Sequence, residues 1–156
     1  MTLDIHRSGY VRRWHSNPDL AHITETLAHH HGQVAQIIFE LHPNPSVDLI
    51  YEALHHDCGE LVTGDVPYPA KQESRELTEL LDKAEGDARK KMGCPCERLS
   101  FSDVCWLKFA DRLQSYRHAQ RVAPHALKRK DWRDLLEWIM KEADALGIHR
   151  STYLIE

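Results

Sequence analysis

The sequence has no run of about 20 apolar residues that could span a bilayer, and its first fifteen residues lack the apolar segment of a signal peptide. It also has no excess of positive charge, because 20 basic and 24 acidic side chains give a formal net charge of -4 at pH 7. A broad basic surface for polyanions is therefore disfavoured. We expect a soluble, cytoplasmic protein that binds neither a membrane nor a nucleic-acid polymer.

Cysteine is scarce and its spacing is wrong for a structural zinc site. Cys94 and Cys96 flank Pro95, while Cys58 and Cys105 stand alone, so the sequence offers no pair of C-x-x-C knuckles. We predict four reduced thiols.

Alternation of apolar and polar residues with period two is absent over any useful length, whereas apolar residues recur repeatedly at steps of three and four. The pattern predicts an all-α protein. A chain of 156 residues fits one domain. Five helices are predicted, starting at about Thr26, after Ser46, at about Gln72, after Ser102 and after Asp131.

Histidine, in contrast, is abundant. The chain has 12 histidines, several of them clustered at positions 29–31 and 55–56, and this excess points to metal or proton chemistry. His30 precedes Val34 and Ile37 on the apolar stripe of the first predicted helix, so its imidazole should be buried. A buried histidine needs a partner, which is either a backbone carbonyl or a metal ion.

Carboxylates occupy similar positions on two other predicted helices. Asp57 follows His56 beside the apolar Cys58, and Asp111 follows Leu107 by one turn. Buried carboxylates are costly unless a cation or metal pairs with them. Two imidazoles and two carboxylates match the preference of Mn, Fe, Co, Ni or Zn, with Mg as a further option, and leave room for water and a substrate oxygen.

These residues form the pattern H…HD…D, which resembles the HD-domain metal-dependent phosphohydrolases. Residues 56–71 are similar to the H-D-x-x-E-x-x-T-G-D-x-P-x-P-x-K pattern of bacterial 5′-deoxynucleotidases. Residues 30–35 resemble the H-S-x-Q-V-A motif of that group, and Arg13-Trp14 stands at its Arg-Trp position. The resemblance covers about residues 10–120, and the short chain also looks like the phage-encoded dATP triphosphohydrolases.

The resemblance implies an HD-domain helical bundle of about five to seven helices, with residues 1–156 as one phosphohydrolase domain. It implies hydrolysis of 5′-phosphorylated 2′-deoxynucleotides to a free nucleoside. The substrate is either a monophosphate or a triphosphate, with dATP a favoured candidate. A phage-encoded member would act in the host cytoplasm.

It also implies roles for particular residues. The metal ligands would be His30, His56, Asp57 and Asp111. Glu60 and Asp65 would serve as general base and acid, in either order, and the substrate-binding residues would be Arg13, Trp14 and Lys71. His29 and His31 depart from the group's motif and are left outside the metal set.

Two other functions remain open from the sequence. One is a non-catalytic nucleotide sensor, and the other is a phosphodiesterase acting on cyclic or oligomeric nucleotides, for which the extra histidines would suit a second metal. We further predict that Trp132 and Trp138 are exposed on the last helix, and that the chain forms a homo-oligomer, either a dimer or a hexamer.

Overall fold

A computed structural model of the chain describes residues 4–94 and 99–154. Those residues contain nine α-helices and one 3-10 helix but no strand, which confirms the all-α prediction. An isolated antiparallel bridge joins Arg12 to Thr26. Five helices are nine residues or longer: α2 (Leu27–Leu41), α3 (Val47–His55), α6 (Arg75–Lys91), α7 (Phe101–Val122) and α8 (Lys130–Ala145). The shorter ones are α1 (Ile5–Ser8), α4 (Glu60–Thr63), α5 (Tyr68–Glu73), α9 (Arg150–Tyr153) and the 3-10 helix Pro124–Lys128.

The helices group into two compact units, each built from two stretches of chain. The first unit is Met1–His31 with His55–Glu97, and the second is Gly32–Leu54 with Arg98–Glu156. Helix α2 contributes residues to both units. The single-domain prediction for residues 1–156 stays a prediction. None of the helices in the described residues is both long and apolar enough to cross a membrane.

An apolar core stabilises the second unit. Phe109 on α7 is fully buried and meets Trp106 and Tyr153 edge to face, with ring centroids 6.1 and 5.9 Å away. Side chains of α2, α3 and α8 complete the same cluster, among them Ile38 and Ile139. Removing these surfaces from water is the main favourable term for this unit.

Helix α6 is the scaffold of the first unit, since α4 and α5 both pack against it. The approach is closest at Gly59, where an added Cβ would lie 2.6 Å from the carbonyl oxygen of Glu85. Only glycine fits this contact without a backbone shift. Thr63 of α4 also donates a hydrogen bond of 2.9 Å to the Glu85 carboxylate.

Helix boundaries differ from several predictions. Helix α7 begins after Ser100, whose side chain forms a capping box with Asp103, and not after Ser102. Helix α8 begins at Lys130, so Asp131 lies inside it. The third predicted helix divides at Ser74, which has an extended backbone and caps α6. The prediction of a cap at Ser46 is supported, because its hydroxyl accepts the Leu49 N–H at 3.0 Å.

The predicted exposure of two tryptophans is wrong. Trp132 is buried, and Trp138 is partly buried against the apolar core, with the Arg112 guanidinium 4.0 Å from its ring centroid. The amphipathic pattern of α8 identified an apolar face correctly but did not show that the second unit covers it. The homo-oligomer prediction therefore loses this argument and stays a prediction.

Candidate metal and phosphate site in the first unit

The His56-Asp57 pair lies in a turn and not within a helix as predicted. Helix α3 ends at His55, and the next bonds run between residues three apart, from Cys58 N to His55 O at 2.9 Å and from Glu60 N to Asp57 O at 2.9 Å. Helix α4 then starts at Glu60. The turn gives His56 and Asp57 side-chain directions that a continuous helix would not allow.

Three potential metal-ligand atoms converge at this turn. His30 Nε2 lies 3.3 Å from His56 Nε2, and Asp57 Oδ2 lies 3.7 and 3.2 Å from those two nitrogens. His30 is fully buried, and the Asp57 side chain is 30% exposed, so the cluster opens on the carboxylate side. The set of two imidazoles and one carboxylate fits a divalent transition metal.

The contact between Arg13 and His30 requires one particular tautomer of the His30 imidazole. Arg13 contacts His30 Nδ1 through its guanidinium, and because arginine only donates, Nδ1 is the acceptor. A metal ligated by Nε2 would need the hydrogen on Nδ1 instead. The Arg13 contact therefore corresponds to the tautomer that carries its hydrogen on Nε2.

His31 is held neutral beside the cluster. Burial, reinforced by the nearby His56 imidazole, lowers the pKa of His31 to about 2. A neutral ring can accept a hydrogen bond, and His31 Nε2 lies 3.4 Å from the backbone N–H of Asp57. The sequence marked His31 only as a departure from the motif, whereas the structure gives it a supporting contact to the turn.

Glu60 stands at the N-terminus of α4 and is almost completely buried. Burial, reinforced by the Asp57 and Asp65 carboxylates, raises the pKa of Glu60 to about 9. Its Oε2 makes no hydrogen bond to any residue that the structure describes. Glu60 is thus a carboxyl group that holds a proton at neutral pH beside the cluster, with one oxygen available to a ligand.

Asp65 and Trp14 are joined to each other. The backbone N–H of Trp14 donates to Asp65 Oδ2 at 3.1 Å, across 51 residues of sequence. Trp14 has a φ of 64°, a left-handed conformation that non-glycine residues rarely adopt. Such backbone strain is often found at functional sites, where the surrounding contacts maintain it.

Glu25 fixes both members of the Arg13-Trp14 pair and was not identified from the sequence. Its fully buried carboxylate accepts the Trp14 indole N–H and an Arg13 N–H, the latter at 3.3 Å. The Glu25 carbonyl also accepts the Arg13 backbone N–H at 3.0 Å. The signal in the sequence was slight, because Glu25 merely precedes His29 by four residues. In the structure, the Glu25 carboxylate lies 3.2 Å from Nδ1 of His29.

Lys71 and Glu85 add charges of opposite sign near Glu60. The ammonium of Lys71 favours the ionised forms of Glu60 and Glu85, but for both groups desolvation outweighs it and the pKa is raised. Lys71 is half-buried on α5. The Lys71 ammonium and the Asp57, Asp65 and Glu85 carboxyl groups therefore all act on the Glu60 side chain.

Arg89 supports the turn from α6. Its guanidinium donates to the carbonyl oxygen of His56 at 3.0 Å and to that of Cys94 at 3.1 Å. Arg89 also lies in the basic last turn of α6, where a cation complements the helix dipole. No sequence pattern could have indicated a partner 33 residues away.

The structure thus brings most of the predicted site residues into one unit. They are Arg13, Trp14, His30, His56, Asp57, Glu60, Asp65 and Lys71. Asp111 belongs to the second unit, on α7, where it is partly buried. Its membership of the ligand set stays a prediction.

A family model described as YfbR-like 5′-deoxynucleotidase matches residues 3–98, about three fifths of the chain. The match includes every predicted site residue except Asp111. No curated protein matches the chain.

Proposed function

The chain belongs to the YfbR-like 5′-deoxynucleotidase family, and on this premise we propose that it removes the 5′-phosphate from 2′-deoxynucleoside monophosphates in a divalent-metal-dependent reaction. The products would be a deoxynucleoside and orthophosphate. The recognition of a small nucleotide, and not of a polymer, agrees with the net charge of -4.

The observation that carries the proposal is the convergence of His30, His56 and Asp57 within ligand distance of one another. A divalent ion held there would supply electrostatic stabilisation of a phosphoryl oxygen and lower the pKa of an attacking water. We propose Mn, Co, Fe, Ni or Zn as the ion on the basis of the imidazole ligands, with Mg as a less suited option. Asp111 is proposed as the fourth ligand.

Glu60 and Asp65 are proposed to act as the acid–base groups of the reaction. With its pKa raised to about 9, Glu60 can give a proton to a leaving 5′-oxygen or exchange one with the attacking water. Asp65 is anchored by the Trp14 N–H and is proposed to orient the nucleophile or the leaving group. Positioned acid–base groups of this kind contribute about 10²–10⁴-fold to rate.

Arg13 and Lys71 are proposed to bind the phosphate, and Trp14 the sugar or base. The guanidinium of Arg13 reaches both Glu25 and His30, so it lies beside the proposed metal ligands. Its planar fork suits two phosphate oxygens, while Lys71 adds a point charge.

A substrate panel tests the proposal. Purified protein is incubated with Mn, Co or Mg and with deoxy- and ribonucleoside mono- and triphosphates and cyclic nucleotides, and the released phosphate species is identified. We expect orthophosphate from deoxynucleoside monophosphates. Intact triphosphate from dATP would instead identify a triphosphohydrolase, and opening of a cyclic nucleotide would identify a diesterase.

Two Asp-to-Asn variants test the proposed metal ligand, one at the ligand itself and one as the matched control. Asp57→Asn should lower the rate by at least about 100-fold, a loss exceeding that typical of groups that only support a metal ligand. Asp48→Asn, at an exposed position in the first turn of α3, should leave the rate unchanged. No phosphate release by the folded wild-type protein with any ion would reject the enzyme proposal in favour of a nucleotide sensor.

A further inference from the structure

Two buried thiols face each other in the first unit. The sulfur atoms of Cys58 and Cys94 are 3.0 Å apart, and both side chains are fully buried. Neither cysteine is in a disulfide, nor is Cys105, which is partly buried in the second unit. A disulfide has a sulfur–sulfur distance of about 2.0 Å, so the two atoms need to approach by about 1 Å to bond.

Hydrogen bonds to backbone groups hold the two thiols close to each other. Cys94 follows α6, and its N–H donates to the carbonyl oxygen of Arg89 at 3.0 Å. Its own carbonyl oxygen accepts from the Arg89 guanidinium at 3.1 Å, while the same guanidinium reaches His56, two residues before Cys58. Arg89 therefore holds the backbone on both sides of the thiol pair.

From this geometry we propose that Cys58 and Cys94 form an oxidisable dithiol, which hydrogen peroxide converts to a disulfide. One thiol takes an oxygen from the peroxide, giving a sulfenic acid and one water. The second thiol displaces the sulfenic oxygen as another water and forms the sulfur–sulfur bond. The two sulfurs together lose two electrons and two protons, the peroxide is reduced, and a dithiol reductant reverses the change.

The burial of the two thiols limits which oxidants can reach them. Thiols that are fully buried react slowly with bulky reagents, because the reagent must reach the sulfur. A small peroxide needs far less opening than a disulfide such as oxidised glutathione. Cys105 is more exposed than either thiol of the pair.

The disulfide would fasten the turn that carries His56 and Asp57 to the end of α6. It closes a loop from residue 58 to residue 94, and restricting the unfolded chain in this way raises thermal stability. We expect the melting temperature of the oxidised protein to rise by about 5–10 °C. Reduction should return it to the starting value.

The test is disulfide mapping after peroxide treatment. Wild-type protein is exposed to hydrogen peroxide, denatured, alkylated with N-ethylmaleimide and digested with trypsin. Trypsin leaves Cys94 and Cys96 on one peptide, residues 92–98, and Cys58 on another, residues 14–71. The mapping is therefore done in a Cys96→Ser background as well; Cys96 lies outside the described residues.

We expect two fewer alkylated thiols after oxidation and a linked peptide pair in both backgrounds. Cys105→Ser is the matched control and should leave the linkage unchanged, whereas Cys58→Ser and Cys94→Ser should abolish it. Failure of the linkage to form in folded Cys96→Ser protein, or oxidation that stops at sulfinic acid on either residue, would overturn the proposal. The result is independent of nucleotidase activity.

Discussion

The two units keep their interiors together by different means. In the second unit, apolar side chains from α2, α3, α7 and α8 surround Phe109. In the first unit, the buried side chains include Glu25, His30, His31 and Glu60, and hydrogen bonds among charged or ionisable groups replace much of the apolar contact. Polar groups are also buried in the second unit, where Arg117 donates to the carbonyl oxygen of Tyr153 and Gln114 donates to the Gln33 side chain, but its interior is formed mainly by the apolar cluster.

The difference means that the second unit mainly contributes stability, whereas the first unit holds the ionisable groups of the candidate site. Buried ionisable groups cost free energy unless they are fully paired, and Glu60 retains an oxygen without a hydrogen bond to any described residue. Such a cost is tolerated where a ligand is to be bound and where the rest of the chain supplies apolar burial. Substitutions in the two units should therefore affect different properties.

The largest expected effect is on stability and comes from the second unit. Phe109→Ala removes a fully buried ring that contacts Trp106 and Tyr153, and it should lower the free energy of unfolding by about 3–5 kcal/mol. Val104→Ala, at a side chain 46% exposed on the same helix, is the control and should cost under about 1 kcal/mol. Urea unfolding measures both, and equal losses would contradict the apolar core around Phe109 as the source of this unit's stability.

A smaller effect is expected on metal binding and comes from the first unit. Arg89→Gln removes the guanidinium that holds the His56 carbonyl, and it should weaken Mn or Co affinity by about 10–100-fold, as loss of groups that orient metal ligands usually does. Lys90→Gln is the matched control, because it removes a charge from the same turn at an exposed position. Isothermal titration with the metal alone gives the answer, and equal affinities for the two variants would remove Arg89 from the site.

The smallest effect, taken per pH unit, is a dependence of stability on pH. Because the pKa of Glu60 is raised from 4.5 to about 9, the folded metal-free protein retains a proton that the unfolded chain has lost over this range. The stability that Glu60 contributes is complete below pH 4.5 and is lost as pH rises towards 9, with a slope of at most about 1.4 kcal/mol per pH unit.

Glu60→Gln should remove that slope, so that the variant gains stability relative to wild type between pH 5 and pH 9. Urea unfolding in the presence of a chelator measures the difference. Glu76→Gln, at an exposed position on α6, is the control and should leave the slope unchanged. Identical pH profiles for Glu60→Gln and wild type would show that the carboxyl is ionised in the folded protein.

Residues whose environment is set by nearby sequence were predicted well. The spacing of His30 relative to Val34 and Ile37 indicated burial, and His30 is fully buried. The start of α3 after Ser46 also followed from local capping chemistry. In both cases the deciding interactions lie within one or two helical turns, which is the range over which a sequence pattern carries information.

Residues whose role depends on distant partners were missed or misjudged. The interruption of the second predicted helix at residues 56–59 occurs where Gly59 meets α6, a contact with no local signature. Glu25 and Arg89 act through partners that local patterns do not reveal. Trp132 was expected to be exposed because its helix is amphipathic, but which faces are covered depends on the packing of the whole unit.

The sequence by itself determined the all-α class, the identity of the family and the residue types of the metal and phosphate site, because helical periodicity and a closely spaced motif are local properties. Only the tertiary structure decided that His30, His56 and Asp57 meet, that burial raises the pKa of Glu60, and that Cys58 faces Cys94. Those features arise from burial and from contacts between residues far apart in the chain. Distances and desolvation are properties of the folded chain, and the spacing of residues in the sequence does not reveal them.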